Sequence, residues 1–218
     1  MFHNCNNLKI LLITAHPDDE SMFFAPTVLN LSPNHIFYVL CLSTGNYYKI
    51  GYKREEEFKK SCNILGVDEN RAFIINNENL KDNPELVWNS TIVSDVVKGY
   101  TIKYQINVLI TFDDYGVSGH LNHIAIHLGV RRLMRVYKIP GLSLFELKSV
   151  TVFRKYLSFV DVLCTMTCAE LAFFCSFKQF KKALGAMLAH SSQMTWYRFL
   201  YIMFSRYMLV NELVPISF

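Results

Sequence analysis

Lys9 to Glu20 read KILLITAHPDDE. The first half is a short, continuous apolar run and the second half is a polar turn. A run of this kind, stopped by such a turn, predicts a strand buried on both faces, as in parallel sheets. The pattern recurs downstream at Ile36–Leu42 (IFYVLCL), Ala72–Ile75, Asn107–Phe112 (NVLITF) and Leu142–Leu147. Between these runs the spacing turns helical. Helices are predicted over Ser21–Leu31 with Pro33 beyond it, over Lys53–Leu65 with Gly66 as its stop, over Pro84–Lys103 and over Leu121–Tyr137. Strand and helix alternate, so the predicted fold class is α/β: Rossmann-like, a mainly parallel sheet with helices on both faces.

The alternation fades after about residue 150. From Tyr156 the chain becomes long apolar segments of helical appearance, so the fold is expected to carry an apolar helical C-terminal extension. The organisation read from this is a single domain over 1–218, with a core at about 8–150 and an apolar, membrane-associated part at 151–218. Leu157–Phe177 is the most apolar late stretch, but Asp161 and Glu170 interrupt it, and each is costly at a bilayer centre. It reads as core or interfacial rather than spanning. Trp196–Val210 (WYRFLYIMFSRYMLV) mixes aromatics with Arg198 and Arg206 and fits either a packed terminal helix or an interfacial one.

Composition agrees with this division. Hydrophobic residues make up 51% and charged residues 18% of the 218, against roughly 25% charged in ordinary soluble domains. The excess apolar surface needs a membrane or a partner to cover it. Net charge is +4, and no basic run is long enough to suggest nucleic acid. The cysteines Cys5, Cys41, Cys62, Cys164, Cys168 and Cys175 form no CxxC pair and read as buried thiols in a reducing compartment rather than a disulfide framework. The first residues lack the apolar run of a secretory signal.

Chemistry concentrates at two places. His16-Pro17-Asp18-Asp19-Glu20 follows the first strand directly, at the sheet edge where open parallel sheets bind ligands. So many carboxylates packed together repel one another unless a cation or hydrogen bonds compensate. One reading is a solvated acidic turn, with Asp18 or Asp19 capping the next helix; the other is a divalent metal. The second place is Asp113-Asp114-Tyr115-Gly116-Val117-Ser118-Gly119-His120-Leu121-Asn122-His123, after the fourth strand. His120 and His123 stand three apart at a helix start and can face one site. Two strand ends thus deliver histidine and carboxylate to one rim, which favours the metal.

HPDDE followed by HxxH resembles the LmbE-like zinc deacetylases. The stretches AHPDDESMFFAPTVL (Ala15–Leu29), CLSTGNYY (Cys41–Tyr48), TFDDYGVSGHLNHIAIH (Thr111–His127), SVTVFRKY (Ser149–Tyr156) and LYIMFSRYM (Leu200–Met208) carry the resemblance over nearly the whole chain. GVSGHLNH and FSRYM resemble the branch acting on lipid-linked substrate, N-acetylglucosaminylphosphatidylinositol (GlcNAc-PI). The resemblance implies one catalytic Zn2+ held by His16, Asp19 and His123, with an open position left for water. It makes Asp18 the general base and His120 the group that steadies the oxyanion or protonates the leaving amine. Arg54, which has Glu57 at RxxE spacing, becomes a substrate contact suited to a phosphodiester. Glu20 becomes a support behind the ligands. Two positions depart from common bacterial members. Asn122 replaces an aspartate beside the second histidine, and can orient it without adding charge. Ser118 replaces a tyrosine that contacts the transition state, as a shorter substrate-side donor. His190, in AHSSQ, also matches a family pattern without an assigned role, while His3, His35 and His127 are expected to have none.

The expected activity is therefore hydrolysis of the N-acetyl group of GlcNAc-PI, an early step of GPI-anchor biosynthesis, at the cytoplasmic face of the endoplasmic reticulum membrane. Members of that branch usually carry a membrane anchor ahead of the first strand. Eight residues precede it here, so the expectation is either a shortened form of the chain or a membrane contact made by the apolar last third. The alternatives are a deacetylase of a soluble GlcNAc conjugate and a non-catalytic binding domain of the same fold. Against the latter, the first strand is not followed by a GxGxxG turn.

Overall fold

The computed structural model describes residues 2, 7–83, 85–157 and 159–218, so Cys5, His3 and Pro84 lie outside the described residues. Among the described residues seven strands form one sheet in the order β3-β2-β1-β4-β5-β7-β6. They are β1 (Lys9–Thr14), β2 (Ile36–Cys41), β3 (Ala72–Ile74), β4 (Val108–Phe112), β5 (Ser143–Leu147), β6 (Ala172–Phe174) and β7 (Val210–Ile216). The first five pair in parallel. Their side chains alternate between two cores: Ile10, Leu12, Val108 and Ile110 face one, while Leu11, Ile13 and Leu109 face the other. This double burial is why β1 and β4 read as unbroken apolar runs.

The helices are α1 (Asp19–Met22), α2 (Ala25–Leu31), α3 (Gly51–Ile64), α4 (Ser90–Tyr104), α5 (Gly116–Gly119), α6 (Leu121–Tyr137), α7 (Val152–Tyr156), α8 (Phe159–Cys168), α9 (Phe177–Ala189) and α10 (Trp196–Phe204). The helix predicted over Ser21–Leu31 is two helices. Pro26 lies in the first turn of α2, the one helical position that tolerates its missing N–H, so the chain must break at Phe23–Phe24 and restart. The helix predicted from Pro84 begins instead at Ser90, because the Asn89 side chain accepts from Thr91 N at 2.8 Å and caps it there.

The last third contains helices and also two strands that the sequence reading did not separate from them. β7 pairs antiparallel with β5 and with β6, extending the sheet on its far side. Short apolar runs such as AFF carry no periodicity that distinguishes strand from helix. The segment of Arg206 fits either a packed or an interfacial helix from sequence, and Arg206 itself is packed, only 1% exposed. Its guanidinium binds Asp161 Oδ2 at 2.9 Å and Thr165 Oγ1 at 2.9 Å, tying the turn after α10 to α8. Asp161 is thus ion-paired inside the protein. The expectation of buried thiols holds for Cys41 and Cys62, whereas Cys164 and Cys168 on α8 are exposed and Cys175 is half-buried. No helix among the described residues is long and apolar enough to cross a membrane.

Candidate active site

β1 and β4 are neighbours, yet the sheet order runs outward from them in opposite directions. The loops leaving their carboxyl ends therefore diverge and open a crevice between them. Both predicted motifs enter it. The rings of His16 and His123 are 5.7 Å apart, and His120 lies 4.8 Å and 4.9 Å from them, centroid to centroid.

The first loop is buried and tightly held. Asp19 Oδ2 accepts from the backbone amides of Ala15 and His16, each at 2.9 Å, which aims Oδ1 at His123 Nε2, 3.3 Å away. Asp18 adopts φ 124°, a left-handed conformation that costs a non-glycine residue energy. It occupies the N-cap of α1 without making a capping bond, so the helix-cap reading of this residue fails. Glu20, fully buried, holds the conformation from behind. Its Oε2 accepts from Asp18 N at 3.1 Å, and its Oε1 accepts from Ser61 Oγ at 2.5 Å and pairs with His190 Nε2 at 2.6 Å. Arg54 closes the loop by donating to Pro17 O at 2.6 Å and Gly45 O at 3.0 Å. A Cβ on Gly45, at φ +66°, would lie 2.5 Å from that guanidinium, so only glycine admits it.

The second loop sets the tautomer of His123. Its Nδ1 lies 3.0 Å from the Gly116 carbonyl, a contact that requires an N–H there. Nε2 consequently carries the lone pair, and this buried atom has no hydrogen-bond partner among the described residues. The ring stacks on Phe112, 3.9 Å away and 3° from parallel. Gly116, at φ +61°, permits the approach, since a Cβ there would meet His123 Cβ at 2.7 Å.

His16 is fixed in the complementary way. Its Nε2 lies 3.3 Å from Asp82 Oδ1 and 3.0 Å from the Asn122 amide. A carboxylate can only accept, so this nitrogen carries the hydrogen and Nδ1 keeps the lone pair, 3.8 Å from Asp19 Oδ2. The Asn122 carboxamide oxygen, otherwise unpartnered, is satisfied if it faces the same N–H. His120 caps α6: its Nδ1 accepts from Asn122 N at 3.3 Å, so its proton sits on Nε2. The nitrogens of the three histidines lie within 4.8 Å of one another.

Electrostatics follow from this crowding. Burial opposes ionisation of Asp19, but His123, His16 and the His16 backbone amide outweigh it and hold the carboxyl far below the usual range. Burial drives Asp18 upward against the pull of Arg198, whose Nη2 is 2.8 Å from Asp18 Oδ2, and of Arg54 at 3.7 Å. His120 is pushed down to about 4, by burial first and then by His16 and His123. It is a neutral donor at neutral pH.

The crevice is a cavity of about 350 Å³ that gathers His16, Asp18, Asp19, Arg54, Ser118, His120 and His123. Glu20 and Asn122 lie behind it, in contact with Asp18 and His16. Arg54 reaches it with a guanidinium already committed to two carbonyls and to Asp82, 3.4 Å away. Asp82, Lys155, Gln193, Arg198 and Tyr201 also line it, and the sequence reading did not place them there. Arg198 was singled out only as an interfacial residue. His35 and His127 lie apart from the cavity, and His127 pairs with Glu146 at 3.1 Å.

Residues 11–134 match the family model described as PIG-L, GlcNAc-PI de-N-acetylase. This span contains both loops. The chain belongs to that family. It is 42% identical over 208 residues to the N-acetylglucosaminyl-phosphatidylinositol de-N-acetylase of Bos taurus, covering 94% of this chain and 82% of the relative. Among solved structures it resembles the N,N'-diacetylchitobiose deacetylase of Pyrococcus horikoshii, with a TM-score of 0.71 and 16% identity over 99% of this chain and 85% of the other. It also resembles the zinc-inhibited form of the teicoplanin deacetylase Orf2, with a TM-score of 0.65 and 11% identity over 95% and 98%. These two likenesses establish the shared fold.

Proposed function

We propose that this member of the family hydrolyses the N-acetyl group of GlcNAc-PI, giving acetate and glucosaminyl-phosphatidylinositol in GPI-anchor biosynthesis, at the cytoplasmic face of the endoplasmic reticulum. The observation that carries the reading is the convergence of unshared electron pairs. One nitrogen each of His16, His120 and His123 lies within 4.8 Å of the others, and Asp19 joins two of them, with Oδ2 3.8 Å from His16 Nδ1 and Oδ1 3.3 Å from His123 Nε2. A buried imidazole nitrogen bearing a lone pair and lacking a donor fits a cation. Nitrogen and carboxylate ligands in a set of three, with hydrogen-bonded supports behind them, suit zinc.

Zinc bound there supplies Lewis acidity toward the acetyl carbonyl and acidifies water. The chain's own residues supply the rest. Asp18 accepts the proton of the attacking water, and Arg198 and Arg54 orient its two oxygens. His120, neutral with its N–H on Nε2, donates a hydrogen bond to the developing oxyanion. The leaving nitrogen receives the proton that Asp18 took up, since an amide anion is too basic to depart. Ser118 stands at the rim as a hydroxyl donor toward the sugar.

The surroundings favour a lipid-linked sugar over a soluble one. Phe153 is 83% and Trp196 74% exposed, and Tyr197, Phe199, Met203 and Phe204 of α10 are exposed beside them. α7 and α10 pack together at the cavity edge. Aromatic and aliphatic side chains in this number, next to a site, suit insertion into a membrane interface. The test pairs metal analysis of the purified protein with acetate release from GlcNAc-PI and from lipid-free GlcNAc conjugates. About one zinc per chain and turnover of the lipid-linked substrate are expected. A zinc-loaded protein that cleaves only the soluble conjugate would replace this reading with that of a soluble-sugar deacetylase.

A further inference from the structure

Lys155 sits in the last turn of α7, within the stretch SVTVFRKY, with its side chain turned into the cavity. It is 9% exposed. The other charges of the cavity have opposite partners. Asp18 faces Arg198 and Arg54, Asp82 faces Arg54 and His16, and Asp19 faces His16 and His123. Lys155 has no carboxylate within ion-pair reach among the described residues. Its ammonium has one carbonyl, Val117 O at 3.5 Å, and the rings of Tyr156 and Phe23 at 5.8 Å and 6.0 Å. Burying an ammonium with so little around it is unfavourable unless an anion arrives to pair with it.

Two kinds of surroundings meet at Lys155. Around it in the chain are the exposed Val152, Phe153 and Tyr156 of α7, and Leu157 just after the helix. The three histidines line the same cavity as Lys155. A glycolipid has the corresponding parts: apolar chains, a phosphodiester, then sugar. Arg54, the residue the sequence suggested for the phosphodiester, points instead at Pro17 O and Gly45 O.

We infer that Lys155 is the ligand of the substrate's phosphodiester, a specificity-determining contact between the apolar rim and the histidine cluster. The inference rests on the GlcNAc-PI reading above. A lone, compact ammonium suits a singly charged diester, whose apolar substituent can leave the site over α7.

Two water-soluble substrates isolate the phosphate from the lipid: N-acetylglucosaminyl-inositol with and without a 1-glycerophosphate group. In the zinc-loaded full chain the phosphodiester compound should have the higher kcat/KM. Lys155→Gln should reduce that preference at least tenfold, mainly through KM, and Lys155→Arg should restore most of it. An unchanged preference in Lys155→Gln, or equal loss on both substrates in a folded variant, would overturn the assignment. Direct titration with glycerophosphoinositol reads the same contact without turnover, with inorganic phosphate as the competing source. The diester should bind at least tenfold more tightly to the unmutated chain than to Lys155→Gln, and more tightly than inorganic phosphate does. Equal affinity for the two proteins, or for the two anions, would also overturn it. If the unmutated chain cleaves neither substrate, the hydrolase reading fails, while the titration still decides the role of Lys155.

Discussion

The crevice between β1 and β4 and the surface formed by α7 and α10 invert the usual rule for a soluble domain. In the crevice, carboxylates, imidazoles and guanidinium groups are buried and joined by short bonds. A few residues away, Phe153, Trp196, Phe199 and Met203 face outward. The polar region is ordered by hydrogen bonds between atoms far apart in sequence, such as Glu20 with His190 and Asp18 with Arg198. The apolar surface has no such constraint. The difference teaches that precision here is confined to where protons move, while the neighbouring surface needs only the right polarity. Substitutions in the two regions should therefore fail in different ways.

The largest effect is expected at the base. Asp18→Asn should retain zinc and lower kcat by about 10²–10⁴-fold, measured as acetate release against metal content. Loss of metal in that variant would move Asp18 from base to ligand. Stripping zinc with a chelator should abolish turnover, and adding zinc back should restore it. Next comes Gly116→Ala. The new Cβ would press on His123 from 2.7 Å in a backbone conformation that disfavours side chains. Zinc affinity should drop about 10–100-fold, as for other losses of ligand support, and competition with a fluorescent chelator reads it.

The apolar surface should respond only to membrane assays. Trp196→Ser combined with Phe199→Ser should weaken sedimentation with phosphatidylinositol-containing vesicles by about tenfold or more, since each large side chain contributes about 1.5–3 kcal/mol when buried. Zinc content should stay the same. Loss of zinc would show that the two regions are not separable.

The smallest effect concerns pH. Glu57 ties α3 to the turn after α9, accepting from Ser192 N at 2.8 Å, Ser192 Oγ at 2.6 Å and Ser191 Oγ at 2.9 Å. Burial works against its ionisation, but these donors prevail and hold its carboxyl below the usual value. A depressed carboxyl contributes stability above its unfolded pKa of about 4.3, and that stability is lost as pH falls through the lower folded value. Glu57→Gln should cost about 1–2 kcal/mol at pH 7. The deficit should shrink as the pH is taken below about 4, read by denaturant unfolding.

Much of this was legible in the sequence because the signals are local. HPDDE starts two positions after a strand end, and His120 and His123 lie one turn apart at a helix start. Local spacing is enough to bring such groups to one rim once the strand order is that of a doubly wound sheet. Asp82, Lys155 and Arg198 gave no such signal, for each reaches the crevice from a separate segment. The direction of Arg54 was also hidden, because its spacing from Glu57 is the same whether it faces substrate or the backbone of Pro17. The strand β6, AFF, is too short to show a period, and β7, VNELVPI, is broken by Asn211, Glu212 and Pro215, so no clean alternation marks it.

One consequence concerns the order in which the chain is made. β7 lies between β5 and β6, although β6 leaves the ribosome first. β6 has no neighbour to join until Val210–Ile216 emerge, and until then the edge of β5 stays bare. An uncovered edge next to greasy helices invites pairing with other chains. The sheet on this side closes only after Val210–Ile216 have been made, and until then the β5 edge is open to wrong pairing.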